Sequence, residues 1–302
     1  MQSYLKEFFR EFDYDRADAD YFLSAYDSIC ASDEARAGFY TALSAYDGDM
    51  ECDFGELLRA ASTAGGAVGL HPYTAELLLC FCLSRRLRAY YAERGIADGV
   101  YATTILDLRY KLEECKRVKG VRGSFVASWF SGHFALRLFG LGRLQFEWVD
   151  FKRDYQKDGR RLTPDSRVLN VHIPGSGAPL TEEACEDAYA RAYDFFCRKD
   201  GLPCAFVCHS WLLFREHENM LSEASNIRRF MEDYTLVQTG EYDDYSQLWR
   251  LFDCQYTGNV DDLPADSSLR RAYIDLIRRG EKTGFGLGIY LYQKVLDEQR
   301  EA

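Results

Sequence analysis

The sequence has no uninterrupted apolar stretch long enough to cross a bilayer. Its longest mostly apolar run, AELLLCFCL at residues 75–83, is far shorter than the roughly 20 residues that a membrane-spanning helix needs. The amino-terminal segment, residues 1–22, also lacks the apolar core of a secretory signal. We therefore expect a cytoplasmic protein with no membrane partner.

Proline and basic residues are also scarce. The chain has 6 Pro among 302 residues, while 47% of its residues are hydrophobic and 15% are aromatic, which excludes a disordered chain and is typical of a folded protein. Lys and Arg number 37 against 48 Asp and Glu, so the formal net charge is -11. Because nucleic-acid binding depends on clustered positive charge, we expect no nucleic-acid partner.

The cysteines lack the spacing of a disulfide framework or a metal site. The chain has 10 Cys, scattered along its length, and several lie in apolar helical stretches, as Cys80 and Cys82 do. Disulfide frameworks belong to short secreted chains, so we interpret these as reduced core thiols. The paired ligand spacing of zinc sites is also missing among Cys204, Cys208, His209 and His217, and we expect no metal.

The hydrophobic pattern divides the chain in two. Residues 1–120 show apolar residues at helical spacing, interrupted at Asp-rich and Gly-rich points. From residue 121, strand patterns alternate with helical ones: RLQFEWVDF and RVLNVHI read as strands, and CAFVCHSW reads as a short buried strand. We therefore expect an α+β protein, with an all-helical domain at 1–120 and a mixed-sheet domain at 121–302.

The segment LNVHIPGSGAPLTEEACEDAYARAYDFF, residues 169–196, leads from a strand through a glycine turn into a helix. Such a turn can hold an anion, because a helix N-terminus presents unpaired N–H groups and glycine allows close approach. Familiar motifs do not fit, however. Leu180 stands where a dinucleotide fingerprint needs its third glycine, the Walker Gly-Lys-Ser/Thr is absent, and Ser176 is one residue early for a nucleophile elbow.

The order of the elements resembles the GNAT N-acyltransferase fold, whose loop motif Gln/Arg-x-x-Gly-x-Gly/Ala is matched in part by HIPGSG, residues 172–177. A closer resemblance covers almost the whole chain. LGRLQFEW, CHSWLLF and SNIRRFMEDYTLV are similar to bacterial acyltransferase-domain proteins that pair an N-terminal helical domain with a GNAT-like C-terminal domain. That resemblance implies an acyl-CoA donor, expected to be acetyl-CoA. It also implies an amine acceptor on a small molecule or peptide.

The resemblance also implies a set of donor-binding residues. They are Val171, Ile173, Gly175, Ser176, Gly177, Ala178, Thr181 and Asn226. The amides of the first two would face the pantetheine arm and thioester, and those of the next four would face the pyrophosphate. Two features weaken this site: Pro174 removes one N–H group, and Glu182 and Glu183 would repel a phosphate.

Five residues are candidates for proton transfer, namely His209, Glu147, His172, Ser210 and Tyr234. Imidazole suits proton transfer at neutral pH, although either histidine could be a structural, hydrogen-bonded residue. Glu147 could be a base, an anchor for the substrate amine or a solvated strand residue, and Ser210 could simply cap a turn. The resemblance implies a tyrosine acid on the helix that Asn226 opens, and Tyr234 lies near the expected place, which Met231 occupies.

Two functions remain open at this point. The first is an N-acyltransferase that transfers an acyl group from acyl-CoA to an amine. The second is a catalytically inactive GNAT-like module that binds a ligand or a protein partner, which the imperfect loop motif and Pro174 would explain.

Overall fold

The computed structural model describes residues 1–198 and 204–292. The chain divides into two compact units, Met1–Gly140 and Leu141–Ala302. In the described residues the first unit consists of helices and ends in the first residues of a strand. The second unit combines a sheet with helices. The predicted α+β class, with helices first and a mixed sheet after them, is confirmed.

The first unit is built from helices joined by short connections. They are α1 (Gln2–Glu11), α2 (Arg16–Ala31), α3 (Asp33–Gly48), α4 (Phe54–Ala67), α5 (Pro72–Glu93), α6 (Asp98–Ile105), α7 (Asp107–Lys119) and the short α8 (Ser131–Phe134). A 3-10 turn at Ala127–Phe130 precedes α8.

Local sequence explains where several of these helices begin and end. The side chains of Asp15, Ser32 and Asp53 accept hydrogen bonds from the first-turn N–H groups of α2, α3 and α4. Gly120, with φ of 67°, ends α7 in the left-handed conformation that glycine adopts without strain. The change in sequence pattern at residue 120 thus coincides with the end of α7. The boundary between the two compact units lies further on, at Gly140.

Helix α5 forms the core of the first unit. Residues 77–83 are each no more than 2% exposed, so this part of the helix is buried on all sides. The ring of Phe81 lies near those of Phe8, Phe9 and Phe22, with centroid distances of 5.8, 5.1 and 5.0 Å. No helix in the part of the chain that the structure describes is long and apolar enough to span a membrane.

The strands form one six-stranded sheet and one separate hairpin. They are β1 (Leu138–Leu141), β2 (Leu144–Asp150), β3 (Tyr155–Lys157), β4 (Arg160–Leu162), β5 (Arg167–His172), β6 (Ala205–Ser210), β7 (Thr235–Glu241) and β8 (Gly284–Leu291). The six-stranded sheet has the order β1-β2-β5-β6-β8-β7, and β3 pairs with β4. Strands β5 and β6 are parallel, whereas β2–β5, β6–β8 and β7–β8 are antiparallel.

The helices of the second unit are α9 (Glu182–Phe196), α10 (His217–Met220), α11 (Asn226–Glu232), α12 (Trp249–Phe252) and α13 (Ser268–Arg278). Helix α9 packs on one face of the sheet. Its Tyr189 ring lies 4.9 Å from that of Phe206 on β6 and 5.1 Å from that of Tyr290 on β8. Because side chains alternate along a strand, the neighbours of these residues point to the opposite face.

The opposite face of the sheet carries an apolar cluster near one end of the strands. Its buried members are Phe151, Val168, Ala205, Val207, Ile289 and Leu291. Tyr155 of β3 and Leu162 of β4 pack against it, so the small hairpin covers this part of the sheet. Toward the other end of β5, the same face carries Asn170 and His172.

Candidate active site

Three polar side chains of β2 and β5 meet on the face of the sheet opposite α9. The antiparallel register places Glu147 directly opposite Asn170, and His172 follows Asn170 on the same face. His172 Nε2 lies 2.8 Å from Glu147 Oε1, and Asn170 Nδ2 lies 3.3 Å from the same oxygen. Asn170 Nδ2 is also 3.0 Å from His172 Nε2. The structure thus brings two of the sequence-predicted candidates, Glu147 and His172, into direct contact.

An imidazole in contact with a carboxylate can transfer protons. The side chains of His172 and Glu147 are 23% and 27% exposed, so both can be reached from solvent. When the Nε2–H group donates to Glu147, the lone pair of the ring lies on Nδ1. Glu147 then orients the ring and stabilises the imidazolium that forms when Nδ1 takes up a proton.

His209 lies on the neighbouring strand and on the same face of the sheet. Asn170 pairs with Val207 in the parallel register, so His172 and His209, each two residues further on, point to the same side. His209 is exposed, and its ring meets that of Phe285 edge-on at a centroid distance of 4.7 Å. His209 therefore lines the surface next to the His172–Glu147 pair.

The two parallel strands pair over a short length. The register joins residues 169–170 of β5 to residues 206–207 of β6, although the strands continue to His172 and Ser210. In the described strands, the pairing thus stops before the carboxyl ends. The carboxyl ends of adjacent strands in open sheets are a common place for ligands. Here that place lies beside the polar cluster of Glu147, Asn170 and His172.

The turn between β5 and α9 uses some of its amides internally. The Ser176 N–H donates to Pro174 O at 2.8 Å, and the Ala178 N–H donates to Ser176 Oγ at 3.3 Å. These are two of the four amides that the family resemblance assigned to the pyrophosphate. Among the hydrogen bonds of the described residues, the N–H groups of Gly175 and Gly177 have no acceptor in the protein.

The start of α9 is capped, and one of its acidic residues is neutralised. Thr181 Oγ1 accepts a hydrogen bond from the Ala184 N–H at 3.3 Å, as an N-cap does. Glu182, expected to repel a phosphate, forms an ion pair with Arg229 of α11 at 2.7 Å. Asn226 is the first residue of α11, as predicted, and the helix is capped by the preceding serine.

Arg143 also belongs to this region, although sequence reasoning missed it. Its Nη1 donates to Pro174 O at 3.0 Å, and its Nε donates to Ala178 O at 3.1 Å. Arg143 lies about thirty residues before the turn in a strand-like pattern, so no local motif signals the contact. Only the pairing of β2 with β5 brings it to this place.

Two other candidates have hydroxyl groups that are engaged elsewhere. Ser210 Oγ accepts the Leu212 N–H at 3.1 Å and caps the 3-10 turn Trp211–Leu213, which is the alternative role considered for it. The Tyr234 hydroxyl lies 2.8 Å from that of Tyr189 and is buried. Burial raises the pKa of Tyr234 well above its usual range, which makes its proton harder to give up.

A small cavity of about 90 Å³ lies between α9 and α11. Its lining residues are Leu180, Thr181, Glu182, Cys185, Arg229, Phe230, Glu232 and Asp233. Burial raises the pKa of Asp233, a hydrogen bond from Tyr189 opposes this rise, and the nearby carboxylates of Glu182, Glu186 and Glu232 add to it. Together these effects bring the pKa to about 6. Asp233 was missed from the sequence because its surroundings come from two separate helices.

The thiols give no indication of a metal or disulfide site. None of the ten cysteines forms a disulfide. Within residues 1–198 and 204–292, no three His, Cys, Asp or Glu side chains are grouped as metal ligands would be. Burial raises the pKa of Cys208, next to His209, far above its usual range, so this thiol is a poor nucleophile.

Two family definitions match the chain almost end to end. The family described as N-acyltransferase N-terminal domain matches residues 3–136, and the family described as GNAT-like C-terminal domain matches residues 138–290. The chain belongs to the GNAT-like acyltransferases. The resemblance inferred from the sequence is confirmed.

Solved structures of acyltransferases share this fold. One, in complex with decanoyl-CoA and teicoplanin, is 26% identical, with a TM-score of 0.72. Another, in complex with CoA and 10C-teicoplanin, is 26% identical, with a TM-score of 0.74. A mutant acyltransferase with octanoyl-CoA is 24% identical, with a TM-score of 0.72, and shows the common fold. Each alignment covers 95% of this chain and 87% of the other. No curated protein matches the sequence.

Membership of the GNAT-like acyltransferases gives the polar cluster a chemical context. The family joins a helical domain to a sheet domain, as this chain does. The family is one of acyltransferases, and the related structure with teicoplanin also holds decanoyl-CoA. Within the second unit, the His172–Glu147 pair lies beside the point where the pairing of β5 with β6 ends.

Proposed function

We propose that the protein transfers an acyl group from an acyl-CoA to an amine, with His172 as the general base. The observation that carries this proposal is the 2.8 Å contact between His172 Nε2 and Glu147 Oε1 on an accessible face of the sheet. The pair lies where β5 and β6 stop pairing. One acyltransferase of the same fold holds decanoyl-CoA and another holds CoA, which supports the donor class.

The residues act in a simple order. His172 Nδ1 accepts a proton from the acceptor amine as the amine nitrogen attacks the thioester carbonyl. The C–N bond forms, the C–S bond breaks, and the imidazolium returns the proton so that CoA leaves as a thiol. Glu147 holds the ring in place and stabilises its positive charge in between. His209, exposed on the next strand, lines the acceptor side.

The donor is held mainly by backbone N–H groups. We assign the amides of Val171 and Ile173 to the pantetheine arm and those of Gly175 and Gly177 to the diphosphate, at the N-terminus of α9. The amides of Ser176 and Ala178 contribute less, because they already donate within the turn. The Arg229–Glu182 ion pair reduces the repulsion expected from this part of α9.

The related structures guide the choice of substrates. Their donors are decanoyl-CoA and octanoyl-CoA, so we include these chains as candidates beside the acetyl-CoA expected from the resemblance. The acceptor is an amine on a small molecule or a peptide. Teicoplanin is a suitable first probe, because one of these structures holds teicoplanin and another holds 10C-teicoplanin. We place the reaction in the cytoplasm of a bacterium, in keeping with the sequence resemblance.

The first experiment measures thiol release from acetyl-, octanoyl- and decanoyl-CoA with an amine acceptor. We expect turnover by the wild-type protein and loss of turnover in His172→Ala. His209→Ala is the comparison variant, since it removes the other imidazole on this face. Because His209 lines the acceptor side, we expect it to weaken acceptor binding without abolishing turnover. Full activity of His172→Ala together with an inactive His209→Ala would move the base to His209.

The inactive-module alternative makes a different prediction. A binding module would be stabilised by CoA in a thermal-shift assay and would release no thiol with any donor and acceptor. The comparisons give that alternative no support, because the solved relatives are acyltransferases. Binding of acyl-CoA without turnover across several amines would restore it.

A further inference from the structure

The connection between β1 and β2 places one side chain against the turn between β5 and α9. Gly142, with φ of 71°, is close to α9: a Cβ atom added there would lie 3.3 Å from Ala188 Cα. The next residue, Arg143, reaches the turn between β5 and α9. Its guanidinium donates to Pro174 O and to Ala178 O, so one side chain holds both ends of the turn.

The contact with Pro174 has a directional consequence. In a trans peptide, the C=O and N–H groups point in opposite directions. Pro174 O and the Gly175 N–H belong to the same peptide unit, so the N–H points away from Arg143 when Arg143 holds the oxygen. The Ser176 N–H also donates to Pro174 O at 2.8 Å, and the orientation of this peptide is thus fixed by two donors.

The second contact fixes the far end of the turn. Nε and Nη1 belong to one rigid planar group, so they hold the carbonyls of Pro174 and Ala178 at a set separation. Between them lies Gly177, whose φ of 76° suits glycine. Carbonyl oxygens repel phosphate oxygens, and a guanidinium that holds them to one side leaves the other side to N–H donors.

We propose that Arg143 is a positioning residue for the diphosphate of the donor. It holds the Pro174 and Ala178 carbonyls away from the donor and thereby aims the Gly175 amide toward it. This inference rests on the proposed function, since it names a residue that shapes the same donor site. Arg143 acts through the turn and not on the reacting atoms, so its removal affects donor binding and spares the chemical step.

The test compares two donors that carry the same acyl group, one on CoA and one on pantetheine, which lacks the diphosphate. We expect Arg143→Gln to raise the KM for acyl-CoA about tenfold or more and to change kcat by less than about twofold, since two charge-assisted hydrogen bonds are lost. The KM for acyl-pantetheine stays at the wild-type value. Arg143→Lys gives an intermediate KM, because an ammonium group lacks the fork that holds two carbonyls together.

Arg167→Gln is the matched control. It removes an exposed arginine from the opposite end of β5, where its guanidinium lies 4.9 Å from the Trp148 ring centroid. We expect it to leave the KM for both donors at the wild-type value. An equal rise in KM for both donors in Arg143→Gln would show a general structural role and overturn the proposal. So would an unchanged KM for acyl-CoA.

Calorimetric binding of CoA and of pantetheine repeats the comparison without turnover. We expect Arg143→Gln to weaken the binding of CoA and to leave the binding of pantetheine unaffected. A wild-type protein that binds CoA but catalyses nothing would refute the proposed reaction while leaving the role of Arg143 measurable. A wild-type protein that binds no CoA would overturn both.

Discussion

One face of the sheet in the second unit carries two different surfaces on the same strands. Near one end, Val168, Val207 and Ile289 are no more than 5% exposed and form part of an apolar cluster. Near the other end, Glu147 and His172 are about a quarter exposed and form a hydrogen-bonded pair. Val168 and His172 are four residues apart on one strand, so both point to the same side.

The difference between these two surfaces lies in what covers them. The β3–β4 hairpin places Tyr155 and Leu162 over the apolar end, and burial there favours apolar side chains. The side chains of the polar end remain within reach of solvent. Alternation along a strand therefore assigns a residue to a face, while the cover over that face decides between packing and chemistry.

The largest effect on stability is expected at the apolar end. Ile289 is 1% exposed, and Ile289→Ala should lower the free energy of unfolding by about 2–5 kcal/mol, because it removes buried methyl groups and leaves a cavity. Denaturant unfolding measures this loss. The folded fraction should keep the wild-type kcat/KM for acyl transfer. A stable but inactive variant would mean that the two surfaces are not separable.

A second prediction concerns a histidine outside both surfaces. His217 is buried, with Nδ1 3.2 Å from Leu212 O and Nε2 2.8 Å from the Tyr273 hydroxyl. Desolvation lowers its pKa from 6.5 to about 4. The unfolded chain therefore binds this proton more readily, and stability should fall as the pH drops from 6.5 toward 4, by about 3 kcal/mol at pH 4.

The contribution of His217 can be isolated with His217→Gln. The variant should show a smaller loss of unfolding free energy over this pH range than the wild-type protein, in parallel urea titrations. Carboxyl groups that titrate in the same range, such as Asp233, affect both proteins equally. Identical pH dependence in the two proteins would show that His217 is not held neutral in the fold.

The smallest effect is expected for the partner of the base. Glu147→Gln keeps an oxygen near His172 but removes the charge that stabilises the imidazolium, so kcat/KM should fall roughly tenfold. Stability should change by less than about 0.5 kcal/mol at this position, whose side chain is about a quarter exposed. Asp150→Asn, an exposed change at the other end of β2, is the control. A variant with wild-type kcat/KM would assign Glu147 to a purely structural role.

Much of the architecture could be read from the sequence because its signals are local. The alternation in RLQFEWVDF and RVLNVHI predicted β2 and β5, and the helical stripe after the glycine turn predicted α9. The motifs around these elements also identified the family. Glu147 and His172 were each singled out as candidates, but nothing in the pattern indicated that they touch.

The contacts that define the candidate site join residues that are far apart in sequence. Arg143 and Pro174 are separated by 31 positions, and Glu147 and His172 by 25. Which side chains meet depends on the register of β2 against β5, and a slip of one residue would turn each side chain to the other face. The raised pKa of Asp233 likewise depends on the packing of α9 against α11.

The sequence by itself determined the class of fold, the family and the strands that carry the polar residues, because helical and strand periodicities and cap residues act over a few positions. The tertiary structure alone decided that His172 meets a carboxylate, that Ser210 and Tyr234 are engaged elsewhere, and that Arg143 holds the turn between β5 and α9. These outcomes depend on strand register and on burial by distant segments, and neither is encoded in any short stretch of the chain.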